Sequence, residues 1–144
     1  MVIRQTAPEG HRYFLARRTE DSYWEFIGGK RKQHESIREA ALRELDEELQ
    51  SIEPTDADIT EVAKPYPSAV AEAFSLYPVL IEFEREAATA IDSTSLSAEH
   101  NTAAWISLGE FKEFETLGQQ QALSNLDLVR RGCSRSNQDT CSQT

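Results

Sequence analysis

Lysine is scarce in this chain, present only as Lys30, Lys32, Lys64 and Lys112. Lysine and arginine together number 15 against 25 aspartates and glutamates, for a formal net charge of −10. A surface of that sign repels a phosphate backbone, so a nucleic-acid polymer is excluded as a general partner. A small polyphosphate would be repelled too, unless a cation and local basic residues reversed the field at its site. Lys30, Arg31 and Lys32 form the one basic cluster able to help. Long apolar runs are also missing, and nothing approaches the roughly 20 residues that span a bilayer. The opening Met1-Val2-Ile3-Arg4-Gln5 lacks the basic, apolar and small-residue regions of an export signal, so a cytoplasmic protein without a membrane partner is expected. Cysteine is confined to Cys133 and Cys141, in a polar terminal segment where a pair cannot staple a core, and nothing beside them suggests a zinc site.

What is present suits one globular domain. A chain of 144 residues, 39% hydrophobic and 28% charged, has the length and composition of a single domain with a sizeable core. The domain is expected over 1–131, followed by a polar, disordered tail over 132–144. Alternating or apolar stretches predict strands at Val2–Gln5, Tyr13–Arg17, Tyr23–Ile27, Ile59–Ala63 and Ala103–Ile106. The longest apolar stretch, Ala69–Phe83, predicts one long strand bent at Pro78. A helix should begin at Ser36, three residues before Glu39 in capping-box spacing, and run to about Gln50. Ser107 can cap a second helix through Phe114, and Gln119–Arg130 reads as an amphipathic helix with Leu123, Leu126 and Val129 inward. Strands interleaved with a central and a terminal helix indicate an α/β fold.

The most informative segment runs from Gly28 to Glu48. A glycine pair leads into the helix, whose last turns carry Glu44, Glu47 and Glu48 on adjoining faces. Like charges at that spacing cost roughly 0.2–0.5 kcal/mol per pair on an isolated helix, unless a cation sits among them. Ile37, Ala41, Leu45 and Ile52 define the apolar stripe, and Glu44 and Glu48 project within about 20° of its edge. Asp46 points to the opposite side, where a solvated acidic face would be. Carboxylates on the packed side suit a cleft holding a hard divalent cation such as Mg²⁺ or Mn²⁺.

The segment resembles the Nudix box, Gly-x5-Glu-x7-Arg-Glu-U-x-Glu-Glu-x-Gly-U with U a bulky aliphatic. Gly29, Glu35, Arg43, Glu44, Leu45, Glu47 and Glu48 fill it in register. Gln50 replaces the closing glycine and Ser51 the last aliphatic, with Ile52 one residue later. A glycine there would let the chain leave the helix at positive φ, so Gln50 is expected to hinder that exit or lengthen the helix. Leu96-Ser97-Ala98-Glu99-His100 ahead of Trp105 also looks like the late loop of small Nudix hydrolases, in which a glutamate approaches the metal.

The resemblance implies the Nudix fold, an α/β/α sandwich around a mixed β-sheet. It implies metal-dependent hydrolysis of a phosphoanhydride in a nucleoside diphosphate linked to another group. A nucleoside triphosphate or dinucleoside polyphosphate is the expected substrate. Glu47 and Glu48, with Glu44 and the Gly28 carbonyl, would ligate Mg²⁺, with Mn²⁺ as the alternative. Glu44 and Glu99 are the two candidates for the general base. Arg43 would orient a box glutamate, Glu35 would support the loop, and Lys30 and Arg31 would meet the phosphates. A homodimer is left open. The competing reading is a non-catalytic nucleotide-binding regulator, which would be expected to have eroded acidic positions. An isomerase on the same fold would want a cysteine in the core.

Overall fold

The computed structural model describes residues 1–8, 10–49, 58–68, 74–83, 96–116 and 118–128. The chain forms β1 (Val2–Ala7), β2 (Gly10–Arg18), β3 (Trp24–Glu25), α1 (Ile37–Glu48), β4 (Ile59–Val62), β5 (Tyr66–Pro67), β6 (Ser75–Leu76), β7 (Val79–Phe83) and β8 (His100–Ile106). A 3₁₀ helix over Leu108–Glu113 and α2 (Gln119–Asn125) follow. Six strands make one sheet in the order β3-β2-β1-β7-β4, with β8 paired to β2, while β5 and β6 form a separate two-stranded ribbon. The sheet is mixed: β1 runs parallel to β7, and its other pairings are antiparallel.

Period-two alternation feeds two cores. Ile3, Phe14, Ala16, Ile27 and Ile81 face one side, where they pack with Ala41, Leu45 and Leu49 of α1 and its exit. Val2, Tyr13, Leu15, Phe26 and Leu80 face the other, against Phe111 of the 3₁₀ helix and Ala122 and Leu123 of α2. Coverage of both faces explains why the strands read as apolar runs. The result is the expected α/β/α arrangement with a mixed sheet.

Helix α1 starts as its sequence directs. Ser36 is the N-cap: its hydroxyl accepts from the Glu39 N–H, and the Glu39 carboxylate accepts from the Ser36 N–H. The helix stops at Glu48, short of the expected Gln50, and Leu49 adopts φ −121° and ψ 89°. Leu49 is wholly buried and bridges to Leu96, so core packing pulls the chain out of the helix before the closing-glycine position is reached. Gln50, Ser51 and Ile52 lie outside the described residues, as do 132–144 of the expected tail.

Other boundaries also shift. The long strand expected over Ala69–Phe83 is instead β6 and β7, separated at Tyr77 and Pro78, with 69–73 outside the described residues. Proline cannot donate to a ladder, which accounts for the break. The helix after Ser107 is 3₁₀, and α2 ends at Asn125 where Leu126 caps it and Asp127 turns the chain at φ 58°. Val129 and Arg130 are not among the described residues. No helix among those described is long and apolar enough to cross a membrane.

Leu45 is fully buried at the centre of the contact between α1 and the sheet. Leu45→Ala is expected to destabilise the fold by about 2–5 kcal/mol, measured as a lowered urea midpoint at unchanged m-value.

Candidate metal and substrate site

The segment from Gly28 to Lys32 has no regular secondary structure, so side chains must hold it in place. Arg43 does most of this. Its Nε and Nη2 donate to the two Glu35 oxygens at 2.7 and 2.9 Å, a bidentate pair. Nη2 also donates to the Lys30 carbonyl at 2.8 Å, and Nη1 to Glu44 at 2.8 Å and Glu47 at 3.3 Å. Glu35 closes the loop by accepting from the Lys32 N–H at 2.7 Å, and His34 turns the chain back toward it at φ 72°. The hydrogen bonds from Arg43, supported by that from Lys32, hold the Glu35 carboxyl down at about 2. The same bonds push the Arg43 guanidinium further up.

The glycine pair turns the chain without positive φ at either residue. Gly29 leaves room for Glu44: a Cβ there would displace the Glu44 carboxylate. Glu44 is therefore clamped between Arg43 and the Gly29 backbone. The Met1 amine donates to the Ile27 carbonyl nearby. Its burial brings the amine down to about 6, against the opposing charges of Glu25 and Glu44.

A second network meets the other flank of α1. Glu48 is buried and accepts from the Ser97 hydroxyl at 2.7 Å. His100 opens β8 with its side chain only 2% exposed, Nε2 2.9 Å from Glu25 and Nδ1 3.6 Å from Glu48. Glu48, Glu99 and His100 each present a ligand atom within 4.8 Å of the others. Desolvation opposes charge on His100, but the Glu25 hydrogen bond and the charges of Glu25, Glu48 and Glu99 outweigh it, so its pKa is raised. The loop is pinned from the β2 side, where the Thr19 N–H donates to the Glu99 carbonyl at 2.9 Å and its hydroxyl to the Ala98 carbonyl at 3.0 Å.

The residues expected from sequence thus fall into two groups beside one helix. Glu35, Arg43, Glu44 and Glu47 form the first, with Gly28 and Gly29 beside them. Glu48 and Glu99 form the second. Arg31 stays near the loop, donating to the Glu35 carbonyl at 3.4 Å. The Lys30 amine lies instead 4.9 Å from the centre of the half-exposed Phe74 ring, a cation–π contact. Glu25 and Ser97 had no role in the sequence reading. Glu25 carried a signal nonetheless: alternation places it on the Ile27 face, toward α1, where a lone charge needs a partner.

The donor set fits a divalent cation. Glu48, Glu99 and His100 bring three ligand atoms together, while Glu44 and Glu47 on the same helix are engaged by the Arg43 guanidinium. The orphaned, buried Nδ1 of His100 points at Glu48. Hard carboxylate oxygens with little compensating charge are the ligands such cations select.

Residues 1–126 match the family model described as the NUDIX domain. Among solved structures, a binary complex of the C. elegans Ap4A hydrolase is 20% identical with TM-score 0.66, over 88% of this chain and 92% of that one. RenU, a Nudix hydrolase from M. smegmatis, is 13% identical with TM-score 0.61, over 92% and 86%. The NUDIX domain of Shewanella oneidensis NrtR, solved with ADP ribose, is 15% identical with TM-score 0.58, over 88% and 82%. These structural likenesses establish a shared fold. No curated protein matches the sequence.

The depressed Glu35 carboxyl makes the folded chain bind fewer protons than the unfolded one between about pH 4.5 and 2. Its stabilising contribution is complete above that window and is lost as pH falls through it. Melting temperature should therefore drop more steeply on acidification in the wild type than in Glu35→Gln, as followed by circular dichroism.

Proposed function

The chain belongs to the NUDIX domain family, and on that premise we propose that it is a metal-dependent pyrophosphohydrolase cleaving a phosphoanhydride in a nucleoside triphosphate or dinucleoside polyphosphate. One observation carries the reading: the acidic set of α1 is complete, with Glu44 and Glu48 buried at the edge of the core and Glu47 alongside. A non-catalytic nucleotide-binding regulator would be expected to have eroded acidic positions, whereas Glu44, Glu47 and Glu48 are all present. ADP ribose, bound to the NrtR domain, nevertheless belongs in any substrate panel. The reading also places the domain over 1–131 and the protein in the cytoplasm.

The roles follow from charge and position. Glu47 and Glu48 hold Mg²⁺ or Mn²⁺, with Glu44 and the Gly28 carbonyl oxygen completing the protein's share. A divalent ion held there would supply positive charge to the diphosphate and a more acidic water, offsetting the protein's own net negative charge. Arg43 fixes the Glu44 carboxylate through a charge-assisted bond and stays protonated throughout. Glu35 holds Arg43 in that pose. Lys30 and Arg31 supply positive charge to the phosphates, and Lys30 must leave Phe74 or reach past it to do so. Glu44, clamped by Arg43, and Glu99, exposed on its loop, are the two groups able to take the proton from water.

Two outcomes are expected. Glu47→Gln and Glu48→Gln should each lower kcat by about 100-fold or more while leaving the melting temperature nearly unchanged; wild-type turnover in both would refute the assignment. Gly29→Ala should also lower kcat by displacing the Glu44 carboxylate, and a crystal structure of that variant should show Glu44 moved away from the loop.

A further inference from the structure

We infer that His100 is a nitrogen ligand of the divalent ion at the Glu48–Glu99 corner of the site, held in place by Glu25. This rests on the metal-dependent reading above and goes beyond it, because the other expected ligands are all oxygens.

The argument begins with the ring's two nitrogens. Nε2 lies 2.9 Å from Glu25 Oε1. An ionised carboxylate only accepts, so Nε2 is the donor and carries a proton. In the neutral ring Nδ1 then offers a lone pair, and it has no hydrogen-bond partner. What it faces, 3.6 Å away, is Glu48 Oε2, itself an acceptor that already receives the Ser97 hydroxyl. Two lone pairs opposed in a site this buried repel unless something positive lies between them. Twice a metal–ligand distance of about 2.1 Å exceeds that separation, so both atoms could reach one ion.

The far side of the ring supports the same conclusion. A metal-bound histidine ordinarily gives its other N–H to a carboxylate, which fixes the tautomer and strengthens the donor. Glu25 occupies that position, and the Arg18 guanidinium, 3.9 Å from its second oxygen, steadies it in turn. His100 also stands next to Glu99, so a single short loop brings two donors to one corner.

The competing state is an imidazolium bridging Glu25 and Glu48, with a proton where the ion would be. Metal binding releases that proton to solvent. One imidazole among carboxylates shifts preference away from Mg²⁺ and toward Mn²⁺, Co²⁺ or Zn²⁺.

The test is Mn²⁺ titration of the full chain, read by electron paramagnetic resonance for binding and by electron spin-echo modulation for nitrogen coupling. The wild type should bind Mn²⁺ with a ¹⁴N coupling that is replaced on ¹⁵N-histidine labelling. The coupling should persist in His34→Gln, the other histidine near the site, and vanish in His100→Gln with about tenfold or greater weakening of Mn²⁺ binding. Glu25→Gln should weaken binding over a similar range while keeping the coupling. Stoichiometric Mn²⁺ without nitrogen coupling in the labelled wild-type comparison would overturn the ligand assignment and leave the metal-site reading intact. Absence of stoichiometric Mn²⁺ would overturn both. The labelled wild type decides the matter even if His100→Gln fails to fold.

Discussion

The Arg43 guanidinium is the constraint on which the site depends. It reaches Glu35, Glu44, Glu47 and the Lys30 carbonyl from one planar group. Those contacts tie an irregular loop to a regular helix. The loop has no ladder of its own to define its course, so its position relative to α1 is set by this fork of donors. A lysine offers one ammonium and could not satisfy the two-toothed contact to Glu35 and the contacts beyond it together. Because Glu35 and Glu44 both accept hydrogen bonds from it, the arginine also concentrates carboxylates in a volume that would otherwise expel them.

The fold places that hub at the border of a core. Helix α1 buries Ala41 and Leu45 against the sheet, and Glu44 and Glu48, one helical turn apart at the edge of that stripe, are buried with them. Each glutamate then meets a different wall. Glu44 meets the Gly29 backbone and Arg43. Glu48 meets Ser97 and His100, which arrive from the start of β8. The site is therefore a junction of one helix, the loop before it, the end of β3 and the loop entering β8. Its two halves are joined through α1, and the Met1 amine feels the charge of Glu25 from one and of Glu44 from the other.

Much of this was readable from spacing because it is local. Ser36 and Glu39 sit one helical turn apart, so the cap could be predicted and is found. The angular positions of Glu44, Glu48 and Asp46 around the helix follow from residue periodicity, and burial agrees with each. The family pattern gave Arg43 a box glutamate to orient and Glu35 a loop to support, but not their mutual pair, since eight residues across a loop carry no geometric rule of their own. Glu25 and Ser97 were not found because their partners are 75 and 49 residues distant and meet only when the sheet closes. The helix end was misplaced because a buried Leu49 is an outcome of tertiary packing, which overrides what a missing glycine suggests locally. The break at Pro78 was visible, but that β6 leaves the main sheet depends on its pairing with β5, which no local pattern shows.

The most direct measurement is release of phosphate or pyrophosphate from a nucleotide panel, run with Mg²⁺, with Mn²⁺ and with EDTA. The panel holds common and oxidised nucleoside triphosphates, dinucleoside polyphosphates, ADP-ribose and NADH. The account predicts cleavage of a nucleoside triphosphate or dinucleoside polyphosphate well above the rest, abolished by EDTA and restored by added metal. Nucleotide binding without cleavage of any compound, or cleavage indifferent to EDTA, would contradict it.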